Sequence, residues 1–420
     1  MSQKRNKIFP GWFIVVALFL VWAVSQGITT HSFTSLIEPI TKKFGWHYTQ
    51  VTLAISIYNF VYMLFMPFVG LAVDRWSARK LIFAGITITS IGIFLLSRIN
   101  TLSQLYLCYV LMGIGGSTCI GTIPMTIAGR WFRKKLSLAT SIAMSGSGAG
   151  GLIVPLVTRI IDSTGWQTAT MILGAGMFAI ISPVALIVRQ SPEQYGYLPD
   201  GDTNDSTITG EGPASIQDSE KDIGVKQALK SRPFWHISLA FLFHIIGPVA
   251  IQVHIMPYLA TMDMSRTTSS FMASTMLVSS IFGRILFGWF GDRFDKRWTA
   301  AIGTSLVGLG LILLASITPA STGLLIPAII LCGIGWGGPA TMHPVLLREY
   351  FGTSHLGTMI GFSMCIMVIG IIAGPPFTSM IFESFGNYRI AWFILMGMVA
   401  ISVISQVTNP PAAIFRQRIS

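Results

Sequence analysis

The residue hardest to place in this chain of 420 residues is an arginine. Arg284 lies inside a long apolar run, eight positions before Asp292. On a helix that puts it about 12 Å from the charged end of the run, at 1.5 Å per residue. Its guanidinium stays charged and carries five donors in a planar fork. Near mid-membrane such a group costs at least about 2.5–3.5 kcal/mol on insertion scales. No Asp or Glu lies at the centre of any apolar run. The side chain must therefore face an interior cleft, and the partner it suits is a small anion, a carboxylate held by two parallel hydrogen bonds. The alternative reading is a structural arginine capped by backbone carbonyls or loops.

Other polar side chains in the apolar runs are candidates to complete an anion site. His31, in Thr29-Thr30-His31-Ser32-Phe33, could favour a nearby carboxylate and carry a proton, or could simply be a polar residue at the membrane interface. His244 and His254 are ten residues apart, so on one helix they point about 80° apart and cannot both face a cleft squarely. His254 is the better candidate, with Tyr258 behind it, because Pro257 opens the helix there. Asn59, Tyr62 and Trp336 could shape the pocket, or face lipid and core.

The elements that must position these residues follow from composition. Hydrophobic residues make up 52% and charged residues 10%, with a mean hydropathy of +0.66. Ordinary globular domains carry about 25% charged residues. So apolar a chain needs lipid as solvent, which excludes soluble enzymes, nucleic-acid binders and secreted disulfide scaffolds. Long apolar runs occur at 11–36, 50–73, 80–98, 102–129, 138–162, 167–189, 233–260, 267–291, 298–316, 323–348, 356–382 and 388–408. Their length and lack of strand-period alternation predict an all-α membrane protein of twelve transmembrane helices. Lys4, Arg5 and Lys7 precede an apolar run too long for a signal peptide, and no small-residue cleavage site follows it.

The 28 Lys and Arg residues sort by side of the membrane. Twenty-one fall on the side of the termini and six (Lys42, Lys43, Arg98, Arg159, Arg266 and Arg389) on the other, leaving Arg284 between. Because cytoplasmic loops are enriched in both types, both termini are expected to be cytoplasmic, and the net charge of +12 is a topological address. Half of the 16 acidic residues lie in 190–232, a polar stretch that reads as a mobile cytoplasmic linker. Cys108, Cys119, Cys332 and Cys365 have no paired spacing and are expected to pack as small hydrophobes. A Gly-Lys-Ser/Thr phosphate loop is absent, so ATP-driven transport is not expected; nor is a metal or cofactor.

The two halves repeat. Gly70-Leu71-Ala72-Val73-Asp74-Arg75-Trp76 returns as Gly288-Trp289-Phe290-Gly291-Asp292-Arg293-Phe294, Gly113-Ile114-Gly115 as Gly333-Ile334-Gly335, and Trp131-Phe132 as Tyr350-Phe351. Such offsets predict duplicated six-helix bundles, 1–189 and 233–420, joined by 190–232 and related by an axis along the membrane normal. Glycine pairs 146/150, 357/361 and 370/374, in runs five and eleven, suit close contacts along which the bundles could rock; plain packing is the equal alternative.

These Gly-x-x-x-Asp-Arg-aromatic elements, with Arg79 and Lys80 after the first, resemble the loop signature of the major facilitator superfamily, and the resemblance covers essentially the whole chain. Trp131-Phe132-Arg133-Lys134-Lys135-Leu136-Ser137-Leu138-Ala139 is similar to the signature opening the fifth helix of monocarboxylate transporters and their bacterial oxalate/formate antiporter relatives. Phe44-Gly45-Trp46, Pro192-Glu193-Gln194-Tyr195-Gly196 and the stretch from Ala228 to Trp235 resemble the same group. The acidic-Gly-Gly-Trp opening common in animal members is reduced to Pro10-Gly11-Trp12, which points to a bacterial relative in the cytoplasmic (inner) membrane. The resemblance implies that the arginine of the eighth helix, matched by Gly283-Arg284, binds the substrate carboxylate. Ser280 stands one turn earlier, where animal members carry an aspartate.

Together these readings lead to an expected secondary transporter, not an enzyme, for a small organic anion. A monocarboxylate moved by proton symport or anion exchange is favoured over a dicarboxylate or aromatic-acid exchanger, and over a carboxylate-binding membrane sensor. Asp74, Arg75, Arg130, Asp292, Arg293 and Glu349 are the expected gate, the aspartates accepting hydrogen bonds or pairing with arginines of neighbouring helices to latch the cytoplasmic ends. Loop orientation alone would be their plainer role.

Overall fold

The computed structural model describes residues 9–201, 223–318 and 322–417. It contains twelve helices long and apolar enough to cross a membrane: Pro10–Phe44, Gln50–Arg75, Ala78–Leu96, Leu102–Trp131, Leu136–Thr164, Trp166–Ile187, Arg232–Ala260, Phe271–Gly291, Lys296–Ser316, Thr322–Phe351, Leu356–Phe385 and Tyr388–Thr408. They are called spans one to twelve. Large apolar side chains such as Phe13, Leu152 and Phe282 remain exposed on their outer faces, as a lipid-facing belt requires. The ends use local chemistry. Thr101 and Gln104 close a reciprocal cap at the start of span four, and Asp295 accepts from the Arg297 N–H at the start of span nine.

Two of these helices are irregular, and apolar periodicity does not reveal it. Span one is α-helical over Pro10–Gln26, π-helical over Gly27–His31 and α-helical again over Phe33–Phe44. Thr29 and Ser32 bond back to the carbonyls of Ser25 and Gly27, so side chains take over part of the loosened ladder. Span five tightens to 3-10 helix over Gly150–Ile153 opposite it.

Within each half the third and fourth, and the ninth and tenth, spans pack along each other; between halves the main pairings are span two with eleven and span five with eight. The first of these is set by Gly70, where an added Cβ would lie 2.3 Å from the Gly357 carbonyl oxygen. Gly361 sits equally close to Met66 of span two, whereas Gly146 and Gly150 pack on span one of their own half. Gly370 and Gly374 pack likewise on Leu242 and Ile246 of span seven, the counterpart of the span-five pair. Only the 357/361 pair lies at the seam, while span five meets span eight through Ser141 and Gly148.

The segment between spans six and seven is more ordered at its ends than a mobile linker would be. Short helical turns lie at Glu193–Tyr195, Pro199–Gly201 and Val225–Lys230; residues 202–222 lie outside the described residues. Arg189 stacks 3.9 Å over the Tyr195 ring. Asp200 accepts from the backbone N–H groups of Arg133, Lys134 and Lys135 at 2.8, 2.6 and 3.2 Å, just before span five begins. The four cysteines are free, three buried and Cys365 half-buried.

Candidate functional site

Arg284 projects from span eight into the seam between the halves. It is 6% exposed, and its Nη1 lies against Gly148 of span five, where an added Cβ would come within 3.4 Å. Gly148 is twelve residues into span five, about 18 Å along the axis, which is near the middle of a ~30 Å hydrocarbon layer. Gly283 explains how the backbone reaches this position: it packs on span ten so closely that a Cβ would meet the Ile334 carbonyl oxygen at 2.3 Å. The Nε and Nη1 donors of Arg284 meet no acceptor among the described residues. A buried charged donor left without an acceptor costs more than an ordinary hydrogen bond returns, so these two donors carry a desolvation cost that an anion would relieve.

His31 ends the π-helical turn of span one and reaches the same region. Its Nε2 lies 3.0 Å from the Ser147 carbonyl oxygen, one residue from the glycine under Arg284. A carbonyl only accepts, so Nε2 carries a hydrogen. The ring is also within electrostatic range of the Arg284 charge. Thus the irregular parts of spans one and five bring His31 and Arg284 together from opposite halves.

The remaining candidates divide. Tyr62 stacks on Tyr58 with ring centres 6.0 Å apart, and its hydroxyl faces the Ile120 carbonyl at 3.4 Å; Asn59 is half-buried on the same span. Tyr58, absent from the sequence-based candidates, reaches Thr29 of the π-helical turn at 3.5 Å. Three expected site residues are instead engaged inside the second half. His254 donates from Nε2 to the Pro375 carbonyl at 3.0 Å and takes the Tyr388 hydroxyl at Nδ1, 3.3 Å away. The Tyr258 hydroxyl donates to the Leu314 carbonyl, and its ring packs edge-on to Trp392. Ser280 donates to the Leu277 carbonyl of its own helix, and its backbone packs directly on Gly337. Trp336 is half-buried against the core of the second half.

At the expected gate both aspartates accept hydrogen bonds, and Asp74 also pairs with an arginine. Asp74, at the end of span two, accepts from the Gly357 and Thr358 N–H groups at 3.0 and 2.8 Å and from the Thr358 hydroxyl at 2.7 Å, while Arg130 donates to it at 3.0 Å. Asp292, at the end of span eight, accepts from Ser137 N–H at 2.7 Å and Leu138 N–H at 3.1 Å. Each carboxylate therefore caps the N-terminus of a helix in the other half, span eleven or span five, where unpaired N–H groups and the helix dipole favour negative charge. Burial holds the Asp292 carboxyl above the ordinary carboxylate range, against the pull of the two N–H donors and Lys296.

Two of the expected gate arginines are placed otherwise. Arg75 is exposed and makes no ion pair among the described residues, and Arg293 stacks 3.6 Å over Trp289. Glu349 pairs with Lys296 at 3.1 Å on the partly exposed rim of its own half, where a pair contributes little.

Twelve membrane-spanning helices, a repeated pair of acidic helix caps between the halves and a buried arginine at mid-depth define a transporter class. The chain belongs to the Major Facilitator Superfamily, whose family model matches residues 11–265 and 249–417. It is a multi-pass membrane transporter homologous to monocarboxylate transporters and an oxalate:formate antiporter. Monocarboxylate transporter 12 of Rattus norvegicus is 28% identical over 410 residues, covering 93% of this chain and 83% of the relative. The oxalate:formate antiporter of Oxalobacter formigenes is 23% identical over 387 residues, covering 92% and 88%. In fold the chain is similar to the transporter FucP in its outward conformation, with a TM-score of 0.70 at 16% identity, covering 97% of this chain and 100% of that one.

Proposed function

We propose that this protein carries small organic anions, a monocarboxylate above all, across a bacterial cytoplasmic membrane by alternating access of two six-helix halves, 1–189 and 233–420. The observation that carries the reading is the buried Arg284 guanidinium, whose Nε and Nη1 meet no acceptor among the described residues, set at mid-depth between the halves. It is the one Lys or Arg at mid-depth of a span, away from the span ends, so it suits one carboxylate; a dicarboxylate would need a second cation. The excess of Lys and Arg on the side of the termini supports cytoplasmic termini, and the shortened Pro10-Gly11-Trp12 opening supports the bacterial placement. The named relatives carry the reading to carboxylates as a class.

The Asp74 and Asp292 caps then latch the cytoplasmic ends, and the substrate is loaded from the outer side. Its carboxylate takes the Arg284 donors, with His31 beside it as the coupling proton's carrier in symport. Tyr58, Tyr62 and Asn59 line the first half's wall. Neutralising Arg284 removes the isolated charge that holds the cleft hydrated, and the loaded halves rock until the caps separate.

One consequence is a pH dependence of the latch. The partly buried Asp292 carboxyl titrates above its ordinary range and returns towards that range once opening exposes it to water. A raised carboxyl pKa in the closed state means that protonation favours closure. As pH falls through the interval above the ordinary carboxylate value, inter-half crosslinking on the cytoplasmic side should rise; Asp292→Asn should flatten this component.

Radiolabelled flux into proteoliposomes tests the function. Mono-, di- and aromatic carboxylates are compared with an imposed proton gradient and, separately, with unlabelled acid inside. Short monocarboxylates should move and neutral amides should not. Stimulation by the gradient alone identifies symport, and stimulation by internal acid alone identifies exchange. Failure of every carboxylate to move would overturn the proposal.

A further inference from the structure

A second site lies where the segment after span six turns into span seven. The helix Val225–Lys230, the first residues of span seven and the chain after span twelve enclose a cavity of about 680 Å³. Its rim carries Lys226, Lys230 and Arg232, and its floor Pro233, Pro410 and Phe415. No carboxylate lines it, and none of the three cations forms an ion pair among the described residues.

The surroundings hold this shape. Tyr350 donates to the Pro410 carbonyl, Arg297 donates to the Asn409 carbonyl at 2.6 Å, and Phe415 packs on Tyr350 and Phe351. Trp235, 46% exposed, donates its indole N–H to the Leu229 carbonyl at 2.9 Å, tying the short helix to span seven. An exposed tryptophan at the end of a span marks the headgroup level of a bilayer.

Span seven also begins here, with no side chain capping its first N–H groups. A 29-residue helix thus adds its positive end to the three cations. The ligand that fits is an anion with an apolar continuation, located at the membrane surface. We infer that this cavity binds the phosphate headgroup of an anionic phospholipid, with Lys226, Lys230 and Arg232 on the phosphate and Pro233 and Phe415 against the glycerol and upper acyl chain. A free phosphate would use the same cations but gain nothing from the apolar floor. The site is separate from Arg284 and stands whether or not the carboxylate reading holds.

Purified full-length protein is titrated with phosphatidylglycerol, phosphatidylcholine and inorganic phosphate, and binding is read by native mass spectrometry and thermal unfolding. Phosphatidylglycerol should bind and raise the unfolding midpoint, and the other two should not. Each cation near an anionic surface contributes about fivefold in affinity, so Lys226→Gln, Lys230→Gln and Arg232→Gln together should weaken binding by about 100-fold. Neutralising Lys80, Arg133 and Lys135, exposed cations on the same side of the chain, should leave binding unchanged. If the triple variant is unstable, Lys226→Glu alone should still lower affinity by about tenfold or more. Equal binding by the cavity variants, equal loss in the Lys80, Arg133 and Lys135 control, or inorganic phosphate binding as tightly as the lipid would each overturn the assignment.

Discussion

Arg284→Ala should lower carboxylate flux by at least about 30-fold while the protein still folds and inserts. Truncating one side of a buried, hydrogen-bonded charge pair costs about 2–5 kcal/mol, and each 1.4 kcal/mol is tenfold. The stability effect should run the other way. In the unloaded protein the Nε and Nη1 donors of Arg284 are buried without acceptors among the described residues, so removing them relieves a penalty. A raised unfolding midpoint together with lost flux separates binding from a structural role; an arginine capped by the protein itself would lose stability when truncated. Arg284→Lys keeps the charge but not the planar fork, and it should recover only a small part of the flux. Flux and a thermal scan on the same preparation read both effects.

Asp74→Asn should open the cytoplasmic end. Asp74 holds two backbone N–H groups and a hydroxyl of span eleven while pairing with Arg130. The amide keeps an acceptor but loses the charge that makes these bonds strong, and it leaves Arg130 half-satisfied at a largely buried position. A loss of about 2–3 kcal/mol would shift the closed-to-open ratio by about 30- to 100-fold. A cysteine placed at Ser141, fully buried beside Gly288 across the seam, reports this. On a Cys365→Ser background it should be alkylated slowly in the parent and much faster in Asp74→Asn. An unchanged rate would mean that the cap orients a loop and does not latch the halves.

The reasons some of this was legible in the sequence and some was not are physical. A charge inside an apolar run is conspicuous because lipid tolerates it so poorly, so Arg284 stands out. The span count follows from the hydrocarbon thickness, and the repeat from aligned aromatic and glycine landmarks. The partners of Asp74 and Asp292 were not legible, because they are backbone N–H groups of distant helices and such donors carry no residue-type signal. Of the arginines expected nearby, Arg130 does pair with Asp74, whereas Arg293 lies on Trp289 and Arg75 is in the open.

Helix irregularity was similarly hidden. The run Gly27-Ile28-Thr29-Thr30-His31 reads as ordinary span, although its glycine and two threonines are what a π-helical turn with side-chain back-bonding uses. That turn brings His31 to Ser147. His254 went the other way: helical rotation distinguished it from His244 but could not say which face met span eleven, where the Pro375 carbonyl and Tyr388 engage it. Asp200 carried a local hint in Leu198-Pro199-Asp200-Gly201, a turn sequence, but nothing tied it to the start of span five.

The central claim, that Arg284 holds the carboxylate of the substrate, is tested most directly by equilibrium binding to purified protein. Whichever short acid shows flux is titrated calorimetrically alongside its neutral amide, against the parent and Arg284→Ala. Binding of the acid to the parent, no binding of the amide, and loss of acid binding in Arg284→Ala is the expected result. Amide binding as tight as that of the acid, or undiminished acid binding in Arg284→Ala, would contradict it.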